Sequence, residues 1–297
     1  MRVALTGAGG RLGRALVTAM AASPALEAIP WSRPDYDLDD PLAAERLVDA
    51  ERPDLVIHAA AWTDVDGCAR DPFLAQRRNG DAAAEMARAC VTHGVHLVLV
   101  STNEVFDGRR TDGEGYDRFD DPNPINPYGV SKLAGETSAW QVFATEGAPK
   151  LEIVRTAWLF GPPGDDFPAK ILAAAEQADA TGEALRVVAD EIGSPTYAPD
   201  LAEALVALLT AGAPRGIHHV VNDGVASRAA WAAEVLRLAG RSTRIEPISM
   251  AEWPRASTPP AWAVLAPTPL PGGRMMRSWR EALAAYLSSA VAPGAPR

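Results

Sequence analysis

Cysteine is nearly absent: only Cys68 and Cys90 occur among 297 residues. Two cysteines cannot build a disulfide framework, and theirs is no metal-ligand spacing, so a stapled extracellular domain is excluded and a reducing compartment fits. Both read as structural thiols rather than reactive ones. Positive charge is also short. Lys plus Arg number 28 against 38 Asp plus Glu, a net charge of −10, and no basic run exceeds Arg77-Arg78 or Arg109-Arg110. A nucleic-acid partner is therefore not expected. No apolar stretch approaches the roughly 18 residues that a membrane span needs. Met1-Arg2-Val3-Ala4-Leu5-Thr6-Gly7 runs straight into a strand and a glycine turn, without the features of a signal peptide. The expectation is a cytoplasmic protein with no membrane partner. Internal repeats, low-complexity tracts and carboxylate clusters with metal-binding spacing are lacking too.

What is present is an ordinary globular composition, 47% hydrophobic and 22% charged, in a chain long enough for a substantial core. Short apolar runs bounded by turn residues alternate with longer stretches at helical spacing. That alternation predicts an α/β fold, a Rossmann-type doubly wound parallel sheet with helices on both faces. Strands are expected at residues 3–6, 26–31, 55–59, 96–101, 152–157 and 185–189, and helices at 11–21, 41–50, 72–93 and 127–145. Beyond about residue 160 the pattern changes to Pro- and Gly-rich loops between helices at 167–177, 200–210, 226–239 and 277–288. Residues 1–160 should mainly form a cofactor-binding domain and 161–289 a smaller substrate lobe, with chain crossover between them allowed. Residues 290–297 read as a frayed tail.

Thr6-Gly7-Ala8-Gly9-Gly10-Arg11-Leu12-Gly13 joins the first strand to the first helix. Gly7 permits a tight turn, Gly10 lets the backbone approach a pyrophosphate at the helix N-terminus, and Gly13 allows close helix–strand packing. The turn therefore predicts a dinucleotide, held by Gly7, Gly10, Arg11 and Leu12. An NAD-preferring fold carries an acidic residue at the end of the second strand. Here the chain reads Trp31-Ser32-Arg33-Pro34, and Arg33 offers a cation to a 2′-phosphate. NADPH is favoured and NADH stays open, because Asp35 or Asp37 could fold back to the ribose and Arg33 could be a plain solvated residue. Asp37 and Leu38 would lie near the adenine.

Tyr128-Gly129-Val130-Ser131-Lys132 sets a phenol and an ammonium one helical turn apart on one face. A lysine so placed should lower the phenol's pKa and fit it for proton transfer near neutrality. With five tyrosines and three lysines in the chain, chance seldom supplies this pair, although Lys132 alone would read as an exposed helix charge. Upstream, Thr102 ends a strand at the carboxyl edge where open α/β sheets bind ligands. Its hydroxyl can steady a substrate carbonyl as negative charge develops there; the plain alternative is a capping hydroxyl. Ser101 should point to the opposite face.

Together the glycine turn, Tyr-x-x-x-Lys and the upstream Thr resemble the extended short-chain dehydrogenase/reductase superfamily. Further stretches narrow the resemblance to the dTDP-4-dehydrorhamnose reductase family, over nearly the whole chain. They are His58-Ala59-Ala60-Ala61-Trp62-Thr63-Asp64-Val65-Asp66, Val105-Phe106-Asp107-Gly108, residues 123–136, Arg155-Thr156-Ala157-Trp158-Leu159-Phe160-Gly161 and residues 190–196. The resemblance implies reduction of a C4 ketone on a dTDP-linked 6-deoxy sugar by NADPH or NADH. Tyr128 would protonate the alkoxide, Lys132 would tune it and hold the nicotinamide ribose, and Thr102 would orient the ketone. Ala59, Ala60 and Ala61 would line the cofactor with Asn79 behind them; Thr63, Val65 and Trp158 would border the sugar, unless Trp158 is simply a buried aromatic. Oligomeric state stays open between monomer and homodimer.

One stretch departs from the family, whose Ser-Thr-Asp-Tyr-Val-Phe-Asp-Gly is here Ser-Thr-Asn103-Glu104-Val-Phe-Asp-Gly. Asn103 and Glu104 thus stand at the substrate site with altered chemistry. Thr-Asn-Glu-Val also resembles the Thr-Asp-Glu-Val of nucleotide-sugar 4,6-dehydratases, but an amide cannot supply their acid. Glu104 is then either a carboxylate at the cleft edge or one that reaches the sugar ring. Other nucleotide-sugar ketoreductases, epimerases or dehydratases of the superfamily remain alternatives, as does a non-catalytic NADP-binding subunit like the regulatory subunit of methionine adenosyltransferase.

Overall fold

Successive side chains of the central strands point to opposite faces, and both faces are apolar. In β1 (Arg2–Thr6) Val3 and Leu5 join one buried layer while Ala4 joins the other. The computed structural model describes residues 1–145, 147–163, 165–212 and 216–291. Its six-stranded sheet is parallel throughout and contains β1, β2 (Glu27–Trp31), β3 (Leu55–His58), β4 (His96–Thr102), β5 (Leu151–Thr156) and a sixth strand, Gly216–His219. The strand order is sixth strand, β5, β4, β3, β1, β2. Helices Arg11–Ala21 and Ala198–Thr210 cover one face; Ala43–Glu51, Ala82–Thr92 and Pro127–Phe143 cover the other. The doubly wound architecture expected from the sequence is what forms.

Two expectations need correction. Leu185–Val188 does not join the main sheet: it pairs in parallel with Ile245–Ile248 in the second lobe. The sixth position is filled instead by Gly216–His219, which lies in register with Glu152–Arg155. The helix expected over 72–93 is also broken into Pro72–Ala75, a π-helical turn Gln76–Asp81 and Ala82–Thr92. That wider turn coincides with inward-facing Asn79, against which the Tyr128 helix packs so tightly that a Cβ on Gly135 would stand 2.7 Å from the Asn79 carbonyl oxygen. A short helix, Val65–Arg70, was not anticipated; Asp64 caps it by accepting from Gly67 N–H at 2.9 Å.

The second lobe has its own apolar centre of Phe160, Trp231, Trp279 and Leu283. The last helix is Trp279–Val291, so the expected tail from 290 begins inside a helix, and its residues 292–297 lie outside the described ones. Among the described residues no helix is long and apolar enough to cross a membrane.

Candidate active site

The sheet reverses its order at β1, whose neighbours are β2 and β3, and a crevice therefore opens above the carboxyl ends of β1 and β3. Thr6 closes its floor. Its hydroxyl accepts from Ala59 N–H at 3.1 Å and Ala60 N–H at 3.0 Å, so its proton is left for His58 Nδ1, 3.0 Å away. His58 is buried, and burial with the nearby Lys132 charge holds its pKa down to about 3, which keeps the ring neutral. The chain of Ala59–Ala61 is thereby fixed against the glycine turn. Gly7 sits at φ +68°, and a Cβ there would stand 3.0 Å from Ala60 Cα.

The first helix starts at Gly10 with no side-chain cap and no acidic residue in its first turn. Its free N–H groups and positive dipole end suit a pyrophosphate, so the residues present fit a dinucleotide. Arg11 and Leu12 would serve through their backbone. The Arg11 side chain is committed elsewhere, its Nε donating to the Gly161 carbonyl at 2.5 Å. Beyond the turn, Arg33 is exposed and acts electrostatically on Asp39, which is paired with Arg78. The Asp37 carboxylate accepts from Asp39 N–H at 3.0 Å, and Leu38 packs onto the apolar layer. Asn79 stands behind the alanines: it accepts from Trp62 N–H at 2.8 Å and donates to the Trp62 carbonyl and to Ser131 Oγ, each at 3.1 Å.

Tyr128 and Lys132 lie on the helix Pro127–Phe143, which Asn126 caps by accepting from Gly129 N–H at 2.9 Å. Tyr128, Lys132 and Thr102 are all buried. The phenol lies close to the Thr102 hydroxyl, the neighbour that favours its ionised form. The expected lowering of the Tyr128 pKa by Lys132 is not found. Burial pushes the phenol up and the Glu104 carboxylate pushes it further, while the Lys132 ammonium donates to the Val100 carbonyl at 2.8 Å. Burial also lowers Lys132 itself to about 8, against the pull of Glu136 one turn later.

The residues expected around the sugar divide. Val65 packs with Trp62 against Tyr128 and Cys68, whereas Thr63 is exposed. Asn103 is a tie between lobes: its Nδ2 donates to the Ala263 carbonyl at 3.0 Å while its Oδ1 accepts from the Thr102 hydroxyl at 3.2 Å. Trp158 adopts φ +42° and lies under the Arg228 guanidinium at 3.6 Å, stacked on Trp231. Arg228 in turn pairs with Glu191 at 2.6 Å. Next to them the second lobe holds a cavity of about 810 Å³ whose lining includes Phe167, Lys170, Arg228, Trp253 and Arg255. Sequence reasoning missed Thr6, His58, Asn126 and Arg228. Asn126 was detectable, since Asn before Pro is a common helix start; the others act through partners distant in sequence.

The family model described as RmlD substrate binding domain matches residues 1–291. The chain belongs to the dTDP-4-dehydrorhamnose reductase family. The reductase of that name from Mycobacterium tuberculosis is 38% identical over 294 residues, 97% of this chain and 93% of that one. A solved dTDP-4-dehydrorhamnose reductase from Clostridium acetobutylicum superposes with a TM-score of 0.89 at 32% identity, covering 98% and 99% of the two chains. Another, from Bacillus anthracis in complex with NADP, gives 0.88 at 33% identity over 97% and 99%. Membership of this reductase family places Tyr128, Lys132 and Thr102 in a fold whose relatives include an NADP complex.

Proposed function

We propose that the protein reduces the C4 ketone of a dTDP-linked 4-keto-6-deoxy sugar, dTDP-4-dehydrorhamnose first among them, with NADPH as the preferred reductant. The observation that carries this reading is the buried Tyr128 phenol, close to the Thr102 hydroxyl and one turn before Lys132, beside a crevice fit for a dinucleotide. Reduced nicotinamide supplies the hydride that adds to C4. The Thr102 hydroxyl turns its proton from Asn103 Oδ1 to the ketone oxygen, the Tyr128 phenol hydrogen-bonds the same oxygen, and the Tyr128 proton passes to it as alkoxide character develops. Holding the phenol protonated is what burial does here, so Tyr128 stands ready as an acid before reduction begins. Lys132, drawn from Val100 toward the cofactor ribose, offers its charge to the phenolate left behind.

Residues 1–160 mainly carry the cofactor side and 161–289 the substrate side, with Gly216–His219 crossing back into the sheet. Lys170, Arg228 and Arg255 give the second-lobe cavity the cations that a nucleoside diphosphate calls for. The test is loss of reduced-nicotinamide absorbance with NADPH or NADH and dTDP-4-keto-6-deoxyglucose, with and without a 3,5-epimerase. Epimerase-dependent oxidation supports the dehydrorhamnose substrate. No oxidation under either condition, with cofactor binding intact, rejects the reading.

A further inference from the structure

Asn103 and Glu104 stand where the family pattern carries Asp-Tyr, and each side chain makes a hydrogen bond beyond its own strand end. Asn103 donates to the Ala263 carbonyl at 3.0 Å. Glu104 stays with the catalytic groups: its N–H donates to Thr102 Oγ1 at 3.2 Å, and its Oε2 accepts from Asn126 Nδ2 at 2.7 Å. Asn126 is buried with both ends of its amide engaged. Oδ1 accepts from Gly129 N–H at 2.9 Å and so caps the Tyr128 helix, while Nδ2 donates to Glu104 and, at 3.2 Å, to the Thr258 carbonyl. The backbone is close as well, since a Cβ on Gly129 would collide with the Glu104 carbonyl. Glu104 thus holds Thr102 through its main chain and the start of the Tyr128 helix through its side chain. The ionisable groups facing its carboxylate are Tyr128, Cys68 on Val65–Arg70, and Glu191, Arg228 and Arg255 of the second lobe. Among the described residues only Asn126 is hydrogen-bonded to that carboxylate.

We propose that the Glu104–Asn126 hydrogen bond is a brace that sets the Tyr128 phenol against the Thr102 hydroxyl, which makes Glu104 and Asn126 positioning residues of the reduction. The inference rests on the reductase reading for the reaction that the two hydroxyls perform. Thr102 ends a strand and Tyr128 begins a helix, and residues 106–126 between them form neither helix nor strand. The covalent connection therefore leaves their spacing loose. Both hydroxyls must meet one ketone oxygen, and a misplacement of about 1 Å is enough to cost about 10²-fold in rate. Capping alone would need only an acceptor at position 126, which Ser or Asp supplies as well as Asn. The amide adds a donor, and that donor is spent on Glu104. A bond to an ionised acceptor is of the stronger, more directional kind. Burial pushes the Glu104 carboxyl up and the Asn126 amide draws it back down, so the bond itself favours the accepting carboxylate. Through Thr258, a residue of the second-lobe cavity wall, the same amide keeps that wall in register with the Tyr128 helix.

The experiment separates the brace from the cap in the full chain. Asn126→Ser keeps a good cap and loses both amide donors. Its kcat for ketosugar reduction should fall about 10- to 100-fold, while melting temperature and NADPH affinity stay near those of wild type. Asn126→Asp also keeps the cap but sets a second carboxylate against Glu104, and should be at least as slow. Adding Glu104→Gln to Asn126→Asp exchanges donor and acceptor across the same bond, and most of the lost kcat should return. Crystal structures of the four proteins read the brace directly. The distance from Tyr128 Oη to Thr102 Oγ1 should lengthen in both single variants and be restored in the double one. Wild-type kcat in Asn126→Ser overturns the proposal, as does a double variant no faster than Asn126→Asp or a Tyr128–Thr102 distance that none of the variants changes. If wild type oxidises NADPH with neither the 4-ketosugar nor its 3,5-epimer, the reductase reading fails, and the crystallographic distances still decide the brace.

Discussion

Glu136 and Arg155 meet in a 2.7 Å ion pair in which each side chain is only 2% exposed. It joins the Tyr128 helix to β5, and Arg155 also faces the Phe106 ring at 5.1 Å. Removing one partner leaves the other charge buried and uncompensated. Arg155→Leu should therefore cost about 3–5 kcal/mol, and the double replacement with Glu136→Leu should recover much of that loss. Denaturant unfolding of the three variants checks this; a single-variant loss below about 1 kcal/mol, the value of a surface pair, would sink it.

Lys132 makes activity and stability run in opposite directions with pH. Its folded pKa is lowered by burial to about 8 from an ordinary 10.5. As pH rises through about 8 the folded protein loses the ammonium, so kcat/KM of the free enzyme should fall roughly tenfold per unit above that point. Between about 8 and 10.5 the unfolded chain still holds the proton, so the contribution of Lys132 to stability rises with pH. Rate profiles and melts of wild type and Lys132→Met separate the two effects. A flat wild-type rate profile to pH values well above 8 would contradict the assignment.

Tyr128→Phe removes the proton donor and leaves the glycine turn and the crevice intact. Turnover should drop by about 10²–10⁴-fold while NADPH affinity is retained. Full activity in a folded variant rejects Tyr128 as the acid.

Arg33 is exposed at the end of β2, where a 2′-phosphate would arrive. A charge-assisted contact there is worth about 1.5–3 kcal/mol, so Arg33→Ala should weaken NADPH roughly 10- to 100-fold more than NADH. Equal losses for the two coenzymes in a binding titration would remove its support.

Gly13 packs where a Cβ would overlap the Gly7 carbonyl oxygen and the Ala8 backbone. Gly13→Ala should push the first helix off β1, lowering the melting temperature and dinucleotide affinity together. Unchanged NADPH binding would show that the turn is not the phosphate site.

Local patterns were enough for much of this protein. The strand–glycine turn–helix at Thr6–Gly13, the Tyr128–Lys132 spacing and the position of Thr102 at a strand end are set by residues within a few positions of one another. Their geometry follows from backbone periodicity alone. The four-residue strand Gly216–His219 has no periodicity of its own, and only pairing with β5 makes it the sixth strand. Leu185–Val188 is as apolar as a central strand, but its partner Ile245–Ile248 lies in the other lobe. The electrostatics were decided by tertiary structure too. Sequence spacing predicts that Lys132 lowers the Tyr128 pKa, whereas burial and Glu104 raise it and Val100 takes the ammonium. A pKa depends on solvent exclusion and on every charge within a few ångströms, and these are brought together only when the sheet, the helix and the second lobe close around the site.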